Sequence, residues 1–380
     1  MSGPGALSRI ERDAAARAPR PGAPRRRGPR PLALHLALAA ASRDPAAQLP
    51  TRFLAGLQAY WRHPYRRRLP EPPVLWADGA TRLLDYRPQG GVPVLAVPSL
   101  INRAYILDLA PGRSLLRHLA AAGLRPLLVD WGAPGAGERR MTLADHVEHR
   151  LAAALAVAPR GSGGRALLLG YCMGGLLATA LALRRPQAVA GLALLATPWD
   201  FHAGPITPAL RRLLAQAAQS GGLLGGLPVA LMQSLFAGVE PLAVARKFAR
   251  FGELDQTSAA AAGFVAIEDW LNDGVALGAA VADECLCGWY GDNRPARGTW
   301  RLAGDAVRPE RIAAPCLVAI PSRDRIVPPA SAGALAARLP AAVLLRPDGG
   351  HVGMVAGDNA CGELWTPLTA WLQRIAAMQK

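Results

Sequence analysis

The stretch "RALLLGYCMGGLL", residues 165–177, constrains the fold more than any other part of the chain. An apolar run reaches Gly170 and Tyr171, and an Ala/Leu-rich stretch follows Gly174 and Gly175. The first part reads as a buried strand and the second as a helix. Between them stands Cys172, at the centre of a G-x-C-x-G spacing. A strand that turns into a helix over one residue needs small neighbours, which the glycines supply. Such a turn raises the Cys172 side chain above the end of the strand, beside a helix N-terminus that favours negative charge.

The same rhythm recurs around it. "VPVLAVPS", "LRPLLVDW" and "VAGLALLATP" are short apolar runs closed by turn residues, with helical spacing over 114–122, 143–156 and 174–183. Runs apolar on both faces suit strands covered by helices on either side. Their alternation with helices predicts parallel βαβ units. After Pro198 the rhythm breaks, and "APCLVAIPS" and "AAVLLRP" resume it before a terminal helix over about 363–378. The expectation is an α/β fold with a mostly parallel sheet and helices on both faces. Residues 1–30 read as a disordered basic arm and 31–76 as an N-terminal helical segment. The core falls in two parts, 77–200 and 306–380, and 201–305 reads as an inserted, mainly helical lid or cap.

Composition narrows the class. The chain has 380 residues, 51% hydrophobic and 18% charged, which suits a globular protein with a large core. No apolar run is long enough to span a bilayer. Of the net charge of +16, residues 1–68 hold +11, from fourteen Arg against Glu11, Asp13 and Asp44. Lysine occurs only at Lys247 and Lys380, so a GC-rich coding bias accounts for this excess better than a nucleic-acid surface does. Residues 31–42 follow "RRRGPR" and mimic a secretory leader, but they start late and His35 interrupts them. They read instead as a helix packed on the domain. Five cysteines without a regular framework point to free thiols and a cytoplasmic setting.

A nucleophile at Cys172 needs a base and an acid. His351, in "GGHVG", and Asp324, in "RDRIVPP", each follow a strand signal, where the active-site groups of open α/β sheets gather. His351 would take the thiol proton and Asp324 would fix its tautomer. Asp200, in "ATPWDFH", is a rival acid. Asp324 is preferred because nucleophile, acid and histidine follow in that chain order in α/β-hydrolases. The backbone N–H of Met173, with that of Leu100 or Ile101 in "PSLIN", would face a developing oxyanion. His146 and His149 lack a third metal ligand and read as an exposed helix face. Cys285 and Cys287 lack zinc spacing and read as packing residues. "GGLLGGLP" has neither the strand nor the Lys-Ser/Thr of a phosphate loop.

A thiol attacking a thioester exchanges one thioester for another near energetic balance, and the acyl-enzyme stays reactive toward an alcohol. Cys172 therefore suits acyl transfer from a coenzyme A thioester to a hydroxyl. A hydrolase on the same scaffold, acting on an intracellular polyester or an acyl-CoA, fits the same motif. So does a non-catalytic granule-surface protein, which the intact Cys, Asp and His set argues against.

The segments "VPSLINRAYILDLAPGRSLLRHLAAAGLRPLLVDWGAP", "GYCMGG", "ATPWDFH", "WLNDGVAL", "DRIVPP" and "GGHVG" resemble the polyhydroxyalkanoate synthases over about residues 75–375. The "DWGAP" form and the chain length look most like the class III catalytic subunit. The resemblance implies an α/β-hydrolase fold in which (R)-3-hydroxyacyl-CoA acylates Cys172 and a hydroxyl of the growing polyester attacks that thioester. It places the family's acid on Asp324 and its histidine on His351. It implies no metal or redox cofactor, a second helical subunit or a homodimer as partner, and a cytoplasmic granule as product. Arg325 stands where the family often has His, and the region before residue 75 is shorter than in the long synthases.

Overall fold

Eight strands form the main sheet of the computed structural model: β1 (Val74–Asp78), β2 (Thr81–Asp85), β3 (Pro93–Val97), β4 (Arg125–Asp130), β5 (Ala166–Tyr171), β6 (Val189–Leu195), β7 (Cys316–Ala319) and β8 (Val343–Leu345). Their order is β1-β2-β4-β3-β5-β6-β7-β8. The structure describes residues 26, 28–42, 48–159, 164–204, 207–238 and 240–379. The basic arm expected over 1–30 lies outside these residues except for Arg26 and residues 28–30.

The pairing follows from what each strand carries. From β4 through β8 every pairing is parallel, and β3, β5 and β6 are buried along their whole length. Leucine and alanine dominate the registers, as in Leu95↔Leu168 and Leu168↔Leu192, because both faces are dry. The first two strands differ: β1 pairs antiparallel with β2, and β2 antiparallel with β4. Here charge is tolerated because it is paired, Arg125 with Asp85 at 2.7 Å and Arg82 with Asp130 at 2.7 Å. The N-terminal helical segment expected over 31–76 therefore gives way to strand at Val74.

The chain divides into two units. The larger, residues 68–239 and 270–380, holds the sheet and the helices that flank it, among them Met173–Arg184 and Thr366–Ala377. The smaller combines the N-terminal residues to Arg67 with Glu240–Asp269. Within it, helices Leu32–Ala40, Leu49–Arg62 and Ala243–Gly252 bury Phe53, Leu57, Tyr60, Phe248 and Phe251. Phe251 stacks on Phe264 at 4.3 Å. The division differs from the one drawn on the sequence. The span 201–305 is mainly helical, but its middle third joins the N-terminal helices, because their aromatic faces complete one core. Among the described residues no helix is long and apolar enough to cross a membrane.

Candidate active site

β5 ends at Tyr171 and a helix begins at Met173, so Cys172 makes the turn alone. Its backbone sits at φ 55°, ψ −129°, a conformation that costs a non-glycine residue roughly 1–3 kcal/mol. Neighbouring contacts hold it there. Cys172 N–H donates to Leu195 O at 2.9 Å, and Gly175 N–H donates to Cys172 O at 2.9 Å. A Cβ at Gly170 would collide with the backbone of Gly175, one at Gly174 with the carbonyl oxygens of Val97 and Pro98, and one at Gly175 with the Thr197 side chain. The helix thus starts against β3 and β6, and the half-buried thiol stands at its N-cap.

Asp324 follows β7, ahead of the helix Pro329–Ala336, and His351 follows β8. His351 Nδ1 lies 2.7 Å from Asp324 Oδ2. The other carboxylate oxygen accepts the N–H groups of Ile326 and Val327 at 2.8 and 2.9 Å. Both side chains are buried. With Nδ1 committed to Asp324, Nε2 is the nitrogen left to serve Cys172. Burial alone would disfavour the imidazolium. The neighbouring Cys172 and the hydrogen bond that Nδ1–H gives to Asp324 outweigh it and hold His351 up at about 10.

Tyr171, which the sequence reading left without a role, supports this pair. Its hydroxyl donates to His351 O at 3.2 Å, and its ring lies 5.1 Å from the imidazole. The only signal for it was an aromatic residue next to the candidate nucleophile.

The other candidates fall as follows. Asp200 Oδ1 accepts His202 N–H at 2.9 Å and Asn293 Nδ2–H at 2.8 Å, so its bonds stay in its own loop and on Asn293. Met173 is the first residue of its helix, where an N–H has no intrahelical acceptor. Ile101 N–H is turned onto Ser99 Oγ at 3.2 Å, while Leu100 N–H makes no hydrogen bond among the described residues. Of the two loop donors, Leu100 is the one left open.

His146 and His149 do not share an exposed face. His146 is buried against Trp131, its Nδ1 2.8 Å from Thr142 O, whereas His149 is exposed. The π-helical turn His146–Leu151 breaks the ordinary helical spacing between them. Cys285 is buried and Cys287 half-buried. No group of three or more His, Cys, Asp or Glu among the described residues is placed to hold a metal.

The model of the alpha/beta hydrolase fold family matches residues 93–358. The chain belongs to that family. This α/β hydrolase is similar to the poly(3-hydroxyalkanoate) polymerase subunit PhaC of Haloferax mediterranei, at 28% identity over 308 residues, 78% of this chain and 63% of that protein. It is similar also to the PhaC subunit of Allochromatium vinosum, at 27% identity over 301 residues, 75% of this chain and 83% of that one. The chain thus spans less than two thirds of the haloarchaeal relative's length. Among solved structures, a bromoperoxidase from Bacillus anthracis shares the fold with a TM-score of 0.50 at 13% identity, covering 77% of this chain and 95% of its own.

Proposed function

We propose that this α/β hydrolase is an acyltransferase that polymerises (R)-3-hydroxyacyl-CoA through a thioester on Cys172. One observation carries the reading. A cysteine, not a serine, occupies the strained elbow, in a chain that also pairs His351 with Asp324 and is similar to polyhydroxyalkanoate polymerases over three quarters of its length.

The chemistry runs in two transfers. The Cys172 thiolate adds to the thioester carbonyl carbon, and the developing oxyanion faces the N–H groups of Met173 and Leu100. The carbon–sulfur bond to CoA then breaks, and His351 passes its proton to the departing CoA sulfur. In the second transfer, the hydroxyl of another unit or of the chain end gives its proton to His351 and attacks the Cys172 thioester. A carbon–oxygen ester bond forms and Cys172 leaves as thiolate. Asp324 holds the imidazole in the orientation that serves both steps.

Exclusion of water keeps the acyl-enzyme for the alcohol, and the helical residues of 201–305 that belong to the larger unit are the segment proposed to do this. The relatives are polymerase subunits, which supports a second chain as partner. The product of such a reaction would be an insoluble polyester with the protein at its surface.

Purified protein given (R)-3-hydroxybutyryl-CoA, with Cys172→Ala alongside, tests the reading. Thiol release accompanied by polymer, both lost in the variant, is the expected result. Thiol release with only free 3-hydroxybutyrate would move the assignment to a thioesterase. Polymer made by Cys172→Ala would end the covalent mechanism.

A further inference from the structure

The segment "WLNDGV", residues 270–275, has no part in the mechanism above, yet it is bonded to the loop that carries Leu100. That loop leaves β3 at Val97. A Cβ on Gly174 would strike Val97 O and Pro98 O, so the loop starts against the first turn of the helix that follows Cys172. Four ties join the two segments, both in the larger unit. Val275 N–H donates to Ile101 O at 3.3 Å, and Trp270 Nε1–H donates to Arg103 O at 2.7 Å. The Tyr105 hydroxyl donates to Asp273 Oδ2 at 3.2 Å, and Arg103 Nε lies 3.9 Å from Asp273 Oδ1. Glycine at 274 permits the close approach, since a Cβ there would lie 3.3 Å from Asn102 Oδ1 and 3.0 Å from Val229 Cγ1.

The segment is itself held from the other side. Leu227 and Leu277 exchange backbone hydrogen bonds at 2.7 and 3.1 Å, and Gln233 Nε2–H donates to Leu271 O at 2.6 Å. It therefore forms a fixed backing for the loop. Within the loop, Ile101 N–H is bonded to Ser99 Oγ, and its carbonyl is the one that Val275 holds. Leu100 is thus followed by a residue fastened at both its N–H and its C=O. An oxyanion donor contributes only while it is aimed at the place where charge develops, and an error of about 1 Å is costly.

We infer that Asp273 and Tyr105 are positioning residues for acyl transfer. Their hydrogen bond, with those from Trp270 and Val275, holds the loop so that Leu100 N–H faces the developing oxyanion. This rests on the acyl-transfer reading and adds to it residues that act through Leu100. The Asp273 side chain is 54% exposed, and exposed polar pairs add little to stability, so the effect belongs in the rate and not in the fold.

Two reactions of Cys172 separate these roles. Acylation by (R)-3-hydroxybutyryl-CoA, followed as CoA release in a single turnover, passes through an oxyanion. Alkylation by iodoacetamide, located by peptide mapping, is a displacement at carbon with no oxyanion, so it reads the thiolate and the fold alone. Tyr105→Phe and Asp273→Ala should each slow acylation at saturating substrate by about tenfold, less than the roughly 10²–10³-fold lost with a whole oxyanion donor. The double variant should be no slower than the slower single one, because both cut the same bond. Asp273→Asn keeps an acceptor for the Tyr105 hydroxyl and should stay within about threefold of wild type. Alkylation should stay within about twofold in every variant. Acylation and alkylation slowed together would place the effect on the thiol or the fold and overturn the inference. Unchanged acylation in Tyr105→Phe and Asp273→Ala would overturn it and leave the acyl-transfer reading standing. Should Tyr105→Phe not fold, Asp273→Ala against Asp273→Asn decides in the same way. A wild-type Cys172 that is alkylated but never acylated would overturn the acyl-transfer reading, and the inference with it.

Discussion

Asp324 Oδ2 lies 2.7 Å from His351 Nδ1, while Asp324 Oδ1 is held by two backbone N–H groups. The carboxylate is therefore fixed at both ends and cannot rotate away from the imidazole. Asp324→Asn keeps the shape and replaces one acceptor oxygen by an NH₂ donor. Pointed at Nδ1, that donor selects the tautomer with its proton on Nε2, which then cannot take the proton of Cys172. The variant should fold normally and lose about 10³–10⁴-fold in kcat, with KM changed little. Steady-state CoA release measures this. A loss below tenfold would remove Asp324 from the chemistry.

His351 gives a pH signature. Burial works against its charge, but Cys172 and Asp324 hold it at about 10 against an ordinary 6.5. A raised pKa stabilises the fold fully below the unfolded value, and the contribution is lost as pH rises through the folded one. In wild type this stabilisation should be intact below about pH 6.5 and fade toward about pH 10. Cys172→Ala removes the largest raising influence, so the His351 signal should titrate at lower pH by NMR. The variant's stability in urea should then vary less across that window. Identical pH profiles for the two proteins would refute the coupling.

The five cysteines separate by exposure and, for the half-buried Cys287, by its acidic neighbour. Cys361 is exposed and Cys172 half-buried, whereas Cys285 and Cys316 are buried. Burial pushes Cys316 up to about 12, and burial together with Asp283 pushes Cys287 up to about 11. The thiolate is the reactive form. Brief iodoacetamide treatment of folded protein at pH 8 should therefore modify Cys172 and Cys361 at least tenfold faster than the other three. Peptide mapping reads this directly. Early modification of Cys316 would show that the sheet opens on that timescale.

Much of this arrangement was legible in the sequence for a physical reason. Parallel strands buried on both faces leave short apolar runs closed by turn residues, and Cys172, Asp324 and His351 each stand just past such a run. β1 and β2 left no such trace. "VLWAD" is largely exposed or half-exposed, and "TRLLD" carries Arg82 and Asp85, whose charges are answered within the sheet by Asp130 and Arg125 on a strand some forty residues away. The same holds for the smaller unit. Phe53 and Phe248 share a core, but neither helix announces the other across so long an interval. Burial of His146 comes with a π-helical turn, which periodicity at 3.6 residues does not reveal.

The elbow itself predicts an inversion of the usual ranking of substitutions. Glycine ordinarily lowers stability relative to alanine, because it gives up more backbone freedom on folding. At Cys172 the backbone lies at φ 55°, where a Cβ is strained and glycine is not. Cys172→Gly should therefore unfold at higher urea than Cys172→Ala, by about 1 kcal/mol, with both inactive. Gly175→Ala tests the other side of the turn. Its Cβ would press into the side chain of Thr197, which is itself fully buried, so the helix or β6 must shift, at about 1–3 kcal/mol. Thr197→Ala should recover part of that loss by removing Oγ1 and Cγ2, the two nearest atoms struck. Equal stability of Cys172→Gly and Cys172→Ala would mean that the turn relaxes once the thiol is gone. Failure of Thr197→Ala to help Gly175→Ala would place the conflict elsewhere in the helix.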